Sequence, residues 1–175
     1  MTNLLVLLRH LAAIAMLPFV VAVIVPMWLN MRYEPSVTGG LTGVLLRAFA
    51  LIPLGLGAFL FMHSLRRFAN EGEGTLAPWD PPRKLVVRGP YRFVRNPMIS
   101  GVLLVLVGEA MLYNSPAIAI WAVTFFVINA IVIPLIEEPQ LRDRFGAAYI
   151  EYCDNVPRLI PRTTPWISRT PPTHP

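Results

Sequence analysis

Residues 115–136 contain no charged side chain, and three further stretches nearly share that property. Residues 11–29 are uncharged, 41–62 carry only Arg47, and 98–113 carry only Glu109. Crossing a hydrocarbon core of ~30 Å takes roughly 20 helical residues. Residues 11–29, 41–62 and 115–136 meet that length, and 98–113 falls short of it. With no water to bond the backbone, a spanning segment of this length must be a helix. The pattern predicts an all-α integral membrane bundle with four transmembrane helices, at 11–29, 41–62, 98–113 and 115–136. Composition agrees: 14% of residues are charged, against about 25% in soluble domains. At 175 residues the chain suits a single domain, placed at 1–162. Asn114-Ser115-Pro116 is too brief a break for a boundary and suits the tight turn of a helical hairpin. The first stretch is longer than a signal-peptide h-region of about 7–15 residues, and no small-x-small cleavage site follows it. Pro18, Pro26, Pro53 and Pro134 are tolerable inside a bundle, where neighbours re-satisfy freed backbone groups.

Basic residues fix the expected orientation. Arg66, Arg67, Arg83, Lys84, Arg88, Arg92 and Arg95 lie between the second and third helices. Arg142, Arg144, Arg158, Arg162 and Arg169 follow the fourth, and Arg9 precedes the first. Only Arg32 and Arg47 fall on the other side. Positive charge favours the cytoplasmic side, so both termini and the long loop are expected there, in an inner or cytoplasmic membrane. The net charge of +5 therefore reflects topology and attraction to anionic headgroups rather than nucleic-acid binding. Cys153 is the sole cysteine, which rules out an intrachain disulfide. His10, His63 and His174 form no Cys/His cluster, so no metal site is expected.

Two regions lie outside the membrane. Residues 64–97 contain Gly72, Gly74, Pro78, Pro81, Pro82 and Pro90, which predicts an ordered loop with little helix. Its Trp79, Leu85, Val86, Val87, Tyr91 and Phe93 argue against disorder. Residues 138–153 predict an amphipathic helix, because Leu141, Phe145, Tyr149 and Tyr152 recur on one helical face. Such a helix lies on the membrane surface or packs against the bundle. Residues 163–175 form a proline-rich tail.

Three constellations could carry chemistry. Glu137-Glu138 are adjacent carboxylates before Pro139, where the fourth helix is expected to end. Acids at a helix C-terminus oppose the helix dipole by about 0.3–1 kcal/mol each. Either loop arginines or water compensate them, or one carboxylate holds a cationic ligand. The run Gly89-Pro90-Tyr91-Arg92-Phe93-Val94-Arg95-Asn96-Pro97-Met98-Ile99-Ser100-Gly101 leads into the third helix. Basic charge and backbone donors at a helix start favour an anionic group, although a basic membrane-flanking loop looks the same. Gly101 permits close approach of another helix or a ligand. Glu109, about 12 residues into the third helix, is either a functional carboxylate in the membrane or a residue of the far interface.

Residues 89–101, followed by Glu137-Glu138, Phe145-Gly146-x-x-Tyr149-x-x-Tyr152 and Val156-Pro157-Arg158-x-Ile160-Pro161, resemble the isoprenylcysteine carboxyl methyltransferase superfamily. That superfamily includes the membrane phospholipid methyltransferases, and the resemblance covers residues 42–162. The family's arginine-His/Asn-proline motif appears as Arg95-Asn96-Pro97. Its Gly-x-Gly-x-Pro element appears as Gly72-x-Gly74-x-Leu76, with Leu for Pro, and Ile99 stands where the family often has Tyr. The resemblance implies transfer of a methyl group from the cofactor S-adenosylmethionine to a lipid or other hydrophobic acceptor. It implies cofactor contacts at Gly72, Gly74, Tyr91, Arg95, Asn96, Pro97, Met98, Glu137 and Glu138, and acceptor contacts at Tyr149, Tyr152 and Arg158. Arg95 and Glu109 are candidates for positioning; no catalytic nucleophile is implied. The alternatives are an NADPH-dependent membrane reductase with a similar core and a non-catalytic membrane scaffold. The bilayer is the expected partner, and no nucleic acid is.

The charge asymmetry yields a direct test. Reporter fusions near Asp80 and after Ile160 should both report the cytoplasm, and a fusion near Tyr33 the opposite side. A non-cytoplasmic signal near Asp80 would overturn this topology.

Overall fold

A computed structural model describes residues 15–33, 39–72 and 83–167, with side chains from Pro18 onward. Gly74, Leu76, Trp79, Arg9 and residues 168–175 lie outside the described residues. All described elements are helical. Helix α1 is π-helical over Ala15–Ile24 and α-helical over Val25–Arg32. Pro18 lies in its wider part and Pro26 opens the α part. Their missing N–H groups thus fall where the hydrogen-bonding pattern already departs from or begins the regular ladder.

Helix α2 covers Gly40–Glu71. At 1.5 Å per residue it is about 48 Å long, well beyond the hydrocarbon thickness. It therefore outruns the expected 41–62 span and enters what the sequence suggested was loop. The continuation is held by Arg67 and Glu71, one turn apart and 3.0 Å from each other, and it stops at Gly72, whose N–H donates to the Phe68 carbonyl. Helix α3 (Pro97–Leu112) and helix α4 (Pro116–Val132) form a hairpin. Asn114 takes a positive φ of 46° in the turn. Ser115 caps α4, its Oγ accepting from the Ile118 N–H at 3.4 Å.

The fourth helix does not end at Pro139. It passes through a π turn at Ile133–Glu137 and continues as α5, Glu138–Phe145. Pro134 and Pro139 lie in and just after the π turn, where the hydrogen-bonding register already departs from the regular ladder. Gly146, with φ 54°, then breaks the expected single amphipathic helix into α5 and α6 (Ala147–Asn155). Residues 156–167 follow as a non-helical strap.

Two helices, Gly40–Glu71 and Pro116–Phe145, are long and apolar enough to cross a membrane; Pro18–Arg32 and Pro97–Leu112 are shorter apolar helices. Only 11% and 17% of the most apolar windows of the two long helices is buried in the protein. A soluble core helix would be mostly covered. Here Phe49, Ile52, Leu56 and Phe59 on α2 and Ile120, Val123, Ile131 and Leu135 on α4 and its π turn are exposed, as suits helices that face lipid. The protein is a membrane protein.

Helices α2 and α3 pack backbone to backbone. A Cβ on Gly57 would lie 2.6 Å from the Gly101 carbonyl oxygen, and one on Gly101 2.9 Å from the Gly57 oxygen. The close approach expected of Gly101 is thus made to another helix. Around it, Val102, Leu106 and Ala122 form a core with Phe61, Trp121 and Phe125, and the Trp121 indole N–H donates to the Val21 carbonyl at 3.0 Å, tying α1 to α4.

Gly101→Val should destabilise the bundle by about 1–3 kcal/mol through overpacking, read as a lower Tm in detergent. Gly55→Ala, where an added Cβ meets nothing within 4 Å, should leave Tm unchanged or raise it.

Candidate functional site

The residues that start α3 are positioned by the strap. The Arg95 N–H donates to the Pro157 carbonyl at 2.9 Å, and the Asn96 N–H to the Arg158 carbonyl at 3.3 Å. Further along, the Arg162 N–H donates to Phe93 at 3.0 Å and the Trp166 N–H to Arg92 at 2.9 Å. Arg92 returns the bond, its Nε donating to the Trp166 carbonyl at 2.7 Å. The loop bonds part of its own backbone, as from the Tyr91 N–H to Arg88 and the Phe93 N–H to Pro90, and the strap satisfies the groups named above. The apolar stripe of α5 and α6 closes the assembly. Tyr149, Tyr152 and Val156 are buried against Leu85, Val87, Leu141, Phe145 and Trp166, so this face packs inward on the protein.

Beneath the loop lies a cavity of about 560 Å³. Its polar end is lined by Tyr91, Arg95, Asn96, Glu137 and Gln140. Its other end is apolar and enters the bundle, with Val21, Phe61, Val102, Phe125 and Val132. Pro97, Met98, Tyr149 and Tyr152 also line it, as does Ile99, so the departure from Tyr at that position makes the wall less polar. The size and the mixed lining suit a small-molecule or cofactor site.

Two buried polar atoms at this end have no partner among the described residues: the Tyr91 hydroxyl and Arg95 Nε. Burial pushes the Tyr91 phenol up from its ordinary range, so it is a neutral donor. Burial does the same to Tyr152 and, with the neighbouring Cys153, to Tyr149. The Tyr152 hydroxyl is spent on the Tyr91 carbonyl at 2.6 Å.

The paired glutamates have different surroundings. About 20 helical residues from Pro116 already traverse ~30 Å, so both lie past the hydrocarbon. Glu138 is buried, 5% exposed in its side chain. Arg158 holds it with a two-pronged contact, Nε to Oε1 at 2.7 Å and Nη2 to Oε2 at 3.0 Å. Arg95 Nη1 adds a third bond to Oε1 at 2.9 Å. Burial opposes its charge, but the Arg158 hydrogen bond and the Arg95, Arg158 and Arg142 charges prevail and hold its carboxyl below the ordinary value. Glu137 lines the cavity, and burial followed by the Glu138 charge pushes it up. Adjacent carboxylates with opposed environments divide into different roles. Because the helix continues, the unfavourable dipole expected at this pair does not arise.

Gly72 is buried behind the loop, its carbonyl accepting from the Arg83 N–H at 2.8 Å. Glu109 lies far along α3 towards the hairpin, outside the cavity lining, with a buried Oε2 that has no partner among the described residues. Arg158 faces Glu138 rather than the cavity. Sequence reasoning missed Asn129, which lines the cavity and whose amide donates to the Phe125 carbonyl at 2.8 Å. Its signal was present: an amide inside an uncharged membrane stretch. It also missed Cys153, whose Sγ accepts from Arg95 Nη1 at 2.8 Å; nothing in the sequence places these two together.

A helical membrane bundle closing a cavity under a basic, strap-held loop is the class that this fold and site define. Residues 45–148 match the model of the family described as phospholipid methyltransferase. A curated relative, protein-S-isoprenylcysteine O-methyltransferase B of Arabidopsis thaliana, is 33% identical over 120 residues. That match takes in 68% of this chain and 54% of the relative, so the chain spans about half that protein's length. The chain belongs to the phospholipid methyltransferase family.

Tyr152→Phe should leave the buried Tyr91 carbonyl without its donor. The cost should be about 1–3 kcal/mol, read as a lower Tm in detergent. No change in Tm would mean that this bond does not hold the loop.

Proposed function

We propose that this protein transfers a methyl group from S-adenosylmethionine to a lipid or other hydrophobic acceptor at the cytoplasmic face of the membrane. The supporting observation is the cavity itself. One end carries two buried donors without partners among the described residues and a carboxylate, and the other runs into the apolar interior of the bundle. The cofactor's carboxylate and ammonium need a donor set and an anion, and the polar end offers both. Arg95 Nε and the Tyr91 hydroxyl would hold the carboxylate. Glu137, which has no ion pair among the described residues, would hold the ammonium. When bound, S-adenosylmethionine supplies a methyl group on a sulfonium, which needs no nucleophile from the protein. The chain's part is orientation and exclusion of water. Phe61, Val102 and Phe125 provide the dry side, and the apolar depth suits an acceptor drawn from the bilayer.

The membrane arrangement proposed with this function has four spans and both termini in the cytoplasm. The long helices Gly40–Glu71 and Pro116–Phe145 support two of the spans. The shorter apolar helices Pro18–Arg32 and Pro97–Leu112 would be the others. The name of the plant relative supports a prenylated cysteine as acceptor, and the family description supports a phospholipid.

Calorimetry on detergent-solubilised protein should detect S-adenosylhomocysteine binding. Glu137→Gln should weaken it by about 30-fold or more, the loss expected when a buried charged hydrogen bond is broken. Full affinity in Glu137→Gln would misplace the cofactor site. Stabilisation by NADPH with none by S-adenosylhomocysteine would favour a reductase instead.

A further inference from the structure

Arg158 does not line the cavity and its side chain is 34% exposed, yet its backbone and that of its neighbour are bonded to the residues that start α3. Its carbonyl accepts the Asn96 N–H, and the carbonyl of its neighbour Pro157 accepts the Arg95 N–H. Its guanidinium spans both oxygens of Glu138. An ionised carboxylate offers about four acceptor positions. Arg158 takes two, Arg95 Nη1 takes a third, and Arg142 stands 3.9 Å from Oε2. Glu138 therefore has little left for a ligand's ammonium. Its contacts are spent on orienting Arg95.

Arg95 is correspondingly fixed. Nη1 is shared between Glu138 and the Cys153 sulfur, while Nε stays buried without a partner among the described residues and the side chain borders the cavity. The guanidinium is planar, so anchoring one corner sets where the other donors point. Without Arg158, Glu138 would be left buried with half its acceptor sites empty. Arg142, 3.9 Å from Oε2, and Arg95, already bonded to Oε1, are the donors at hand, and Arg95 can take a vacated site only by turning further towards Glu138 and away from the cavity.

We propose that Arg158 is a positioning residue for the cofactor site, acting through Glu138 to aim Arg95 at the ligand's carboxylate; this rests on the cofactor reading above. Glu138 is then part of the same relay, and Glu137 alone of the pair meets the ligand. Two consequences distinguish this from general support of the fold. The effect of Arg158 should require Arg95, and it should be confined to ligands that carry the carboxylate.

The test is calorimetry on the full chain in detergent, with S-adenosylhomocysteine and with 5′-methylthioadenosine, the same adenosine thioether lacking the amino-acid part. Arg158→Gln should weaken S-adenosylhomocysteine by about 10–100-fold, the usual effect of losing a partner that orients a ligating group. Binding of 5′-methylthioadenosine should stay within about twofold. Arg158→Lys keeps the charge but not the two-pronged contact, so it should fall between wild type and Arg158→Gln, and it serves if Arg158→Gln does not fold. In an Arg95→Gln background the same change should have little further effect, because paired residues acting as one unit are not additive. Equal losses for both ligands, additive losses in the double variant, or an unchanged S-adenosylhomocysteine affinity with only the acceptor KM raised would each overturn the proposal. Wild-type protein that binds neither ligand would instead overturn the cofactor reading, and this inference with it.

Discussion

The buried carboxylate of Glu138 is the constraint around which the loop, α5 and the strap are organised. An unpaired buried charge is unstable, so α5 can adopt its place only if cations arrive with it. Arg95 comes from the start of α3, and Arg158 from the strap after α6. One acid thus joins three segments far apart in sequence, and their relative positions follow from its need for partners. Replacing such a cluster by apolar side chains could be neutral for stability. What that replacement would lose is the fixed direction of Arg95.

The π turn at Ile133–Glu137 makes this arrangement possible. Phe125, Asn129, Val132 and Ile136 follow helical spacing along one face of α4 and the π turn after it, and all line the cavity. A regular helix ending at Pro139 would leave both glutamates at a frayed terminus. The wider turn absorbs Pro134, shifts the hydrogen-bonding register and lets the helix continue past Pro139. Glu137 then stays on the cavity wall while Glu138 turns to the arginines. The first half of α1, also π-helical, contributes Pro18 and Val21 to the same cavity. The two departures from regular α-helix of this kind among the described residues both border the site.

The membrane half is held by contact rather than charge. Gly57, Gly101 and Gly108 bring the α2 and α3 backbones together. In lipid, where neighbouring chains are as apolar as the helices, such close packing is a principal source of association. Because α3 begins at Pro97, the same packing sets the height of Arg95-Asn96-Pro97 relative to the cavity.

The sequence alone determined the helical class and the apolar segments, because a bilayer tolerates few charges and the spacing of uncharged runs is a one-dimensional property; the motif residues came from the family resemblance. It located Gly101 as a point of close approach, and it gathered Tyr91, Arg95, Asn96, Pro97, Met98 and Glu137, which line one cavity. It could not set the ends of the long helices. Whether α2 stops at Met62 or runs to Glu71 depends on one ion pair and on packing, and whether Pro139 ends a helix depends on a π turn that no periodicity announces. Nor could it divide Glu137 from Glu138. Adjacent and chemically identical, they differ only in which side of the helix meets Arg95 and Arg158, and those arginines lie 43 and 20 residues away from Glu138 along the chain. Pairing over such distances is decided by the tertiary fold, because it is the burial of the charge that selects the partner.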